Sequence, residues 1–136
     1  PQPPMKTDAL ISPCSQYRYW LSREWDETQP SGCWIMLNPS TADATKDDPT
    51  IRRIVAFSRL WGWGGAHVYN LFALRSPTRA VLQTHADPIG ADNDDHLSKA
   101  LKNPNIVAAW GEVEGPLRGR ASHVLEMLRQ SKRFET

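Results

Sequence analysis

Apolar positions along the chain come in short bursts, and their spacing changes from one burst to the next. "CSQYRYWLSREW" alternates moderately between polar and aromatic or aliphatic residues, which predicts a strand. The turn-forming "DETQPSG" follows, and then "CWIML", a more continuously apolar run that predicts a second strand. The economical arrangement is a hairpin, or two strands side by side. Ile51, Ile54, Val55, Ser58, Leu60 and Trp61 then recur at helical spacing. Asp48 can cap the exposed N–H groups ahead of them, Pro49 suits the first helical position, and Gly62 supplies a stop.

"AHVYNLF" predicts the next strand, led in by "GWGG". Ser76-Pro77 opens a short helix to about His85, and a further helix is predicted from Asp92 to Leu101. "NPNIVAAWG" reads as a third apolar strand ending in Trp110-Gly111. A last amphipathic helix runs from about Leu117 to Gln130, with Val124, Leu125 and Leu128 on one face. Strands alternating with helices imply a layered α/β domain around a mostly parallel sheet. In such sheets ligands collect at the carboxyl ends of strands. Three strand ends are therefore candidates: Asn38-Pro39-Ser40, Asn70-Leu71-Phe72 and Trp110-Gly111.

Composition narrows this only a little. The 136 residues suit one domain, placed at 13–136, with 1–12 read as a disordered or cloning-derived start. No stretch approaches the roughly 18 to 20 apolar residues of a membrane span. "PQPPMKTDAL" lacks the basic-then-apolar layout of a signal peptide, so the expectation is a cytoplasmic protein with no membrane partner. Cys14 and Cys33 make neither a disulfide framework nor a zinc site, although they could face each other across paired strands. Net charge is +1, yet 11 of the 16 basic residues are Arg, whose planar fork suits phosphate or carboxylate. Arg52, Arg53, Arg59, Arg75 and Arg79 are candidates for a phosphate-facing surface, with Arg52, Arg53 and Arg75 nearest the expected pocket.

"YRYWLSREWD", "IMLNPSTADATKDDPTIRR", "NLFALRSPT", "DPIGADND" and "AAWG" closely resemble a bacterial and phage family, the domain-of-unknown-function family 1643. More distantly, the apolar strand ending in Asn-Pro is similar to the first motif of the uracil-DNA glycosylase superfamily. "VYNLF" resembles the superfamily's second strand, and "VAAWG" its later strand-Trp-Gly element. The resemblance implies a three-layer α/β/α sandwich with an N-terminal strand or hairpin added at the edge. It implies that Asn38 orients water, that Asn70 pairs with an extruded base and that Trp110-Gly111 is structural. Pro39, Ser40 and the polar loop to Lys46 would then track phosphate, with Pro39 and Ser40 part of the pocket, and Phe72 at the second strand end is a further substrate-contact candidate. That superfamily closes with a His-Pro motif near the C-terminus; this sequence ends at "RQSKRFET" without one, which reads as a domain shortened at that end.

The chemistry suits these residue types. Asn offers a donor and an acceptor together, which a pyrimidine edge requires. Base excision needs an extruded nucleotide in a snug, mostly apolar pocket, and no cofactor. The expected partner is a nucleotide or nucleic acid, and the expected activity hydrolytic cleavage of an N-glycosidic bond. The rival is a non-catalytic nucleotide or nucleic-acid binding module, which the missing His-Pro motif favours. A third reading is a metal-dependent hydrolase using Asp43, Asp47 and Asp48. Against it, Asp48 suits a helix cap, Asp47 a helix dipole and Asp43 a turn. The glycines of "GWGG" precede a strand at the wrong spacing for a phosphate loop, and Ser40 lacks a nucleophile-elbow setting.

Overall fold

The computed structural model describes residues 5–132. Its strands are β1 (Lys6–Ile11), β2 (Arg18–Glu24), β3 (Ser31–Met36), β4 (Gly65–Asn70) and β5 (Ile106–Ala108). Its α-helices are α1 (Pro49–Leu60), α2 (Arg79–Thr84), α3 (Asn93–Ala100) and α4 (Arg118–Lys132). The start of α1 follows its sequence signals closely. Asp48 Oδ1 accepts the Ile51 N–H at 2.9 Å, Pro49 takes the first turn, and Gly62 follows the helix at φ +80°.

The strands form one sheet in the order β1-β2-β4-β3-β5. β3, β4 and β5 run parallel, whereas β2 is antiparallel to β4 and β1 antiparallel to β2. The sheet is therefore mixed, not mostly parallel. β2 and β3 do not pair as a hairpin, because β4 lies between them. Two glycines make that insertion possible. Gly64 N–H donates to Pro30 O at 2.9 Å, and Gly64 O accepts from the N–H groups of Trp25 and Asp26 at 2.9 and 3.0 Å. A Cβ on Gly64 would stand 1.9 Å from the Asp26 carbonyl oxygen, and one on Gly32 would stand 2.1 Å from the Trp63 ring. The "GWGG" segment thus lets β4 start inside the turn that leaves β2.

Within the segment 1–12 read as a disordered or cloning-derived start, residues 6–11 pair with β2 as an edge strand; residues 1–4 lie outside the described part. Cys14 is exposed between β1 and β2 while Cys33 is buried in β3, so they do not face each other. No described helix is long and apolar enough to cross a membrane.

Successive β3 residues point to opposite faces of the sheet and enter different cores. Trp34 joins Leu21, Ile51, Ile54, Ala66 and Val68, a core closed by α1. Ile35 joins Leu71, Phe72, Leu82, Leu97 and Val124, a core closed by α2, α3 and α4. Helices on both faces leave the carboxyl ends of the parallel strands as the place where loops can gather.

Candidate functional site

The register of the parallel strands brings their carboxyl ends level. Met36 lies opposite Asn70, and Ile35 opposite Ala108. The chain leaving these ends encloses a cleft of about 320 Å³, near the lower limit of small-ligand sites. Leu37, Asn38, Pro39 and Ser40 line it after β3, Asn70 ends β4 within it, and Ala109, Trp110 and Gly111 line it after β5. Asp48, Thr50 and Ile51 contribute the start of α1, and Arg18 and Arg79 add two guanidinium groups.

Asn70 is the unusual member. It has no exposed surface, yet among the described residues neither its Nδ2 nor its Oδ1 has a hydrogen-bond partner. A buried amide in that state costs stability unless something external satisfies it. Its backbone, by contrast, is firmly held. Asn93 Nδ2 donates to the carbonyls of Asn70 and Leu71 at 3.0 and 3.1 Å, and Arg120 Nε donates to Leu71 O at 2.8 Å. Arg120 is itself fixed by Asp94 at 2.6 Å.

Asn38 is placed differently. Its Nδ2 donates to the carbonyls of Ser76, Pro39 and Leu74 at 2.9, 3.1 and 3.3 Å, tying the loop after β3 to residues beyond β4. That commitment fixes the amide orientation and leaves Oδ1 as its acceptor.

Arg18 sits on β2, 2% exposed, beside the Ala42 peptide. Its Nη1 donates to Ala42 O at 3.1 Å, and Nε has no partner. No carboxylate lies within 4.0 Å as an ion-pair partner among the described residues. Burial pushes its pKa down to about 10; Asp48 opposes the shift, while Arg75 and Arg23 add to it. Asp48 acts on Arg18 only at a distance; its two oxygens accept from Ile51 N–H and Ala42 N–H.

Of the residues expected from sequence, Asn38, Pro39, Ser40 and Asn70 come together at the cleft. Phe72 does not: it is buried in the core beneath. Arg52 and Arg53 are exposed on α1 and do not line the cleft. Arg75 faces the loop instead, with carbonyls of Ser40, Thr41 and Ser15 at 3.4 Å. The three aspartates proposed for metal are otherwise engaged. Asp43 accepts from the N–H groups of Thr45 and Lys46, which hold its carboxyl below the usual range, and Asp48 caps α1. Asp47 pairs at 2.8 Å with Arg23, a fully buried guanidinium, rather than merely facing the helix dipole. Among the described residues no three His, Cys, Asp or Glu side chains cluster as a metal site.

Sequence reasoning missed Arg18, because Arg in an alternating aromatic strand reads as a solvent-facing position. It also missed Asn93 and Arg120, which act on the carbonyls of a distant strand. Arg79 was included only as part of a diffuse basic surface.

A family model described as "Protein of unknown function (DUF1643)" matches residues 18–135. No curated protein and no solved structure matches the chain.

Proposed function

This chain belongs to the family of proteins of unknown function DUF1643, and on that footing we propose that its strand-end cleft binds a nucleobase or nucleotide. One observation carries the reading: the fully buried amide of Asn70 offers a donor and an acceptor side by side, both unpartnered, at the cleft. A planar cis-amide edge, such as a pyrimidine presents, would complete both bonds at once. Trp110 and Pro39 supply apolar lining, as a base requires. The arrangement of cleft, Asn-Pro loop and Trp-Gly loop around parallel strand ends is what a uracil-DNA glycosylase-like sandwich would have. In that case the reaction is N-glycosidic hydrolysis. Asn38 Oδ1 would orient a water whose oxygen bonds to the anomeric carbon as the carbon–nitrogen bond breaks. The base would leave with the bonding pair, and the proton given up by the water would pass to solvent or to the departing base anion. Polar groups of a dry cleft would stabilise that departing anion.

A non-catalytic binding module is favoured by a separate feature, the use of Asn38 Nδ2 on three backbone carbonyls, which is sufficient reason for that residue to be present. One experiment tests the shared claim and then separates the two. Thermal unfolding is followed with free bases, nucleosides, nucleotides and short single-stranded DNA, for wild type and Asn70→Ala. Saturable stabilisation that vanishes in Asn70→Ala is expected. Glycosidic activity is then read as abasic sites in uracil-containing and modified-base DNA, with Asn38→Asp and Asn38→Ala compared. No stabilisation by any of these ligands would sink the pocket reading.

A further inference from the structure

Arg18 is a second buried polar group at the same cleft with an unpartnered atom, its Nε, and it is charged. Charges this deeply buried are normally paired, since desolvating an isolated ion costs far more than a protein recovers from one neutral hydrogen bond. Among the described residues the guanidinium is held only through Ala42 O, its Nε has no partner, and no carboxylate is close enough to form an ion pair. The nearest acidic influence, Asp48, is engaged by two backbone N–H groups.

Two further features add positive potential at this place. The twelve-residue helix α1 begins at the cleft, where Thr50 and Ile51 line it, and the positive end of its dipole is partly offset by the capping Asp48 carboxylate, which also lines the cleft and accepts the Ile51 N–H. Arg79 lines the cleft from an exposed position and is steadied by donation to Glu112 O at 3.0 Å. One guanidinium at depth, one toward solvent and a helix start form a built setting for a multiply charged oxyanion. Arg52, Arg53 and Arg75 take no part in it.

We propose that Arg18 receives an anionic phosphate of the ligand whose base edge Asn70 reads, so that the cleft selects nucleotides over nucleosides. This rests on the nucleobase reading of Asn70 and extends it to substrate class. The phosphate belongs either to a free nucleoside monophosphate or to a nucleotide unit of a single strand. The shared chemistry is a base edge and a phosphate held at the two ends of one cleft. Arg18 is a binding residue in this scheme and takes no part in bond breaking.

The test is titration calorimetry with the four ribonucleosides, their 5′-monophosphates, inorganic phosphate and a deoxyuridine tetranucleotide. Wild type is compared with Arg18→Met and Arg18→Lys. For wild type, at least one monophosphate binds tenfold or more tightly than its nucleoside. Arg18→Met keeps the nucleoside affinity and loses the preference; Arg18→Lys retains part of it. A tetranucleotide that outcompetes the monophosphate assigns the phosphate to a strand, and the reverse assigns it to a free nucleotide. Equal affinity for nucleoside and monophosphate in wild type overturns the role of Arg18 while leaving the Asn70 reading standing. Absence of binding by nucleosides and nucleotides alike overturns both. Should Arg18→Met fail to fold, the wild-type preference and the Arg18→Lys variant decide the matter without it.

Discussion

Asn93 holds Asn70 by the backbone, its Nδ2 reaching the carbonyls of Asn70 and Leu71 at 3.0 and 3.1 Å. The residue that ends β4 is thus anchored from the α3 side, while its side-chain amide has no partner among the described residues. A backbone fixed this way spares the ligand the entropy of ordering the group that meets it.

Replacing Asn93 with Ala removes two donations to buried carbonyls, one of which keeps its bond from Arg120. It also removes an Oδ1 that is itself buried and unpartnered, which reduces the loss. The expected net cost is about 1 to 2 kcal/mol in urea unfolding. Nucleotide affinity should fall as well, although Asn93 does not line the cleft. Unchanged affinity would mean that the clamp serves folding alone.

Asn70→Leu should separate stability from binding. The wild-type amide is buried with both polar atoms unsatisfied, so an apolar side chain of similar shape relieves a desolvation penalty. Unfolding free energy should be unchanged or higher by about 1 kcal/mol, while ligand-induced stabilisation disappears. A loss of stability comparable to breaking two buried hydrogen bonds would instead give Asn70 a structural role.

Gly64→Ala should cost about 3 kcal/mol. The added Cβ would meet the Asp26 carbonyl oxygen at 1.9 Å, which is backbone and cannot rotate away. Denaturant unfolding measures the loss. A near-neutral effect would show that the turn after β2 and the start of β4 are not threaded as described.

Much of the fold was legible in the sequence, and the Gly64 contact shows where legibility ended. α1 was announced by Asp48-Pro49 and Gly62, because capping and helix termination are local events. β3 and β4 were announced by composition. Their neighbours were not, because strand pairing depends on contacts between distant residues, and the turn at 25–30 looks the same whether it closes a hairpin or admits a third strand. At the cleft, Asn38, Pro39, Ser40 and Asn70 could be found because they sit at strand ends. Arg18 could not, since nothing local distinguishes an Arg buried in an internal strand from one facing water. Phe72 was misplaced by one simple step: it follows the strand end but turns into the core.

Acid should weaken the fold through His96. Burial, then Lys99, hold its pKa below the ordinary 6.5, with Asp92 and Asp95 opposing, and the ring stacks on Tyr19 at 5.2 Å. A depressed value means that the unfolded chain takes up the proton first. Its contribution to stability is complete above about 6.5 and is lost as pH falls through the folded value. Thermal unfolding between pH 7.5 and 5 should therefore decline less in His96→Phe than in wild type. An identical decline would remove His96 as a cause.

The side-chain amide of Asn70 can be watched directly, by its nitrogen-15 NH₂ resonances during titration with nucleoside monophosphates. If this group is the base-reading element, its two proton signals shift and saturate with the ligand, and their exchange with water slows in the complex. If those signals stay fixed while ligand binds, the amide does not meet the ligand and the nucleobase reading of the cleft is wrong.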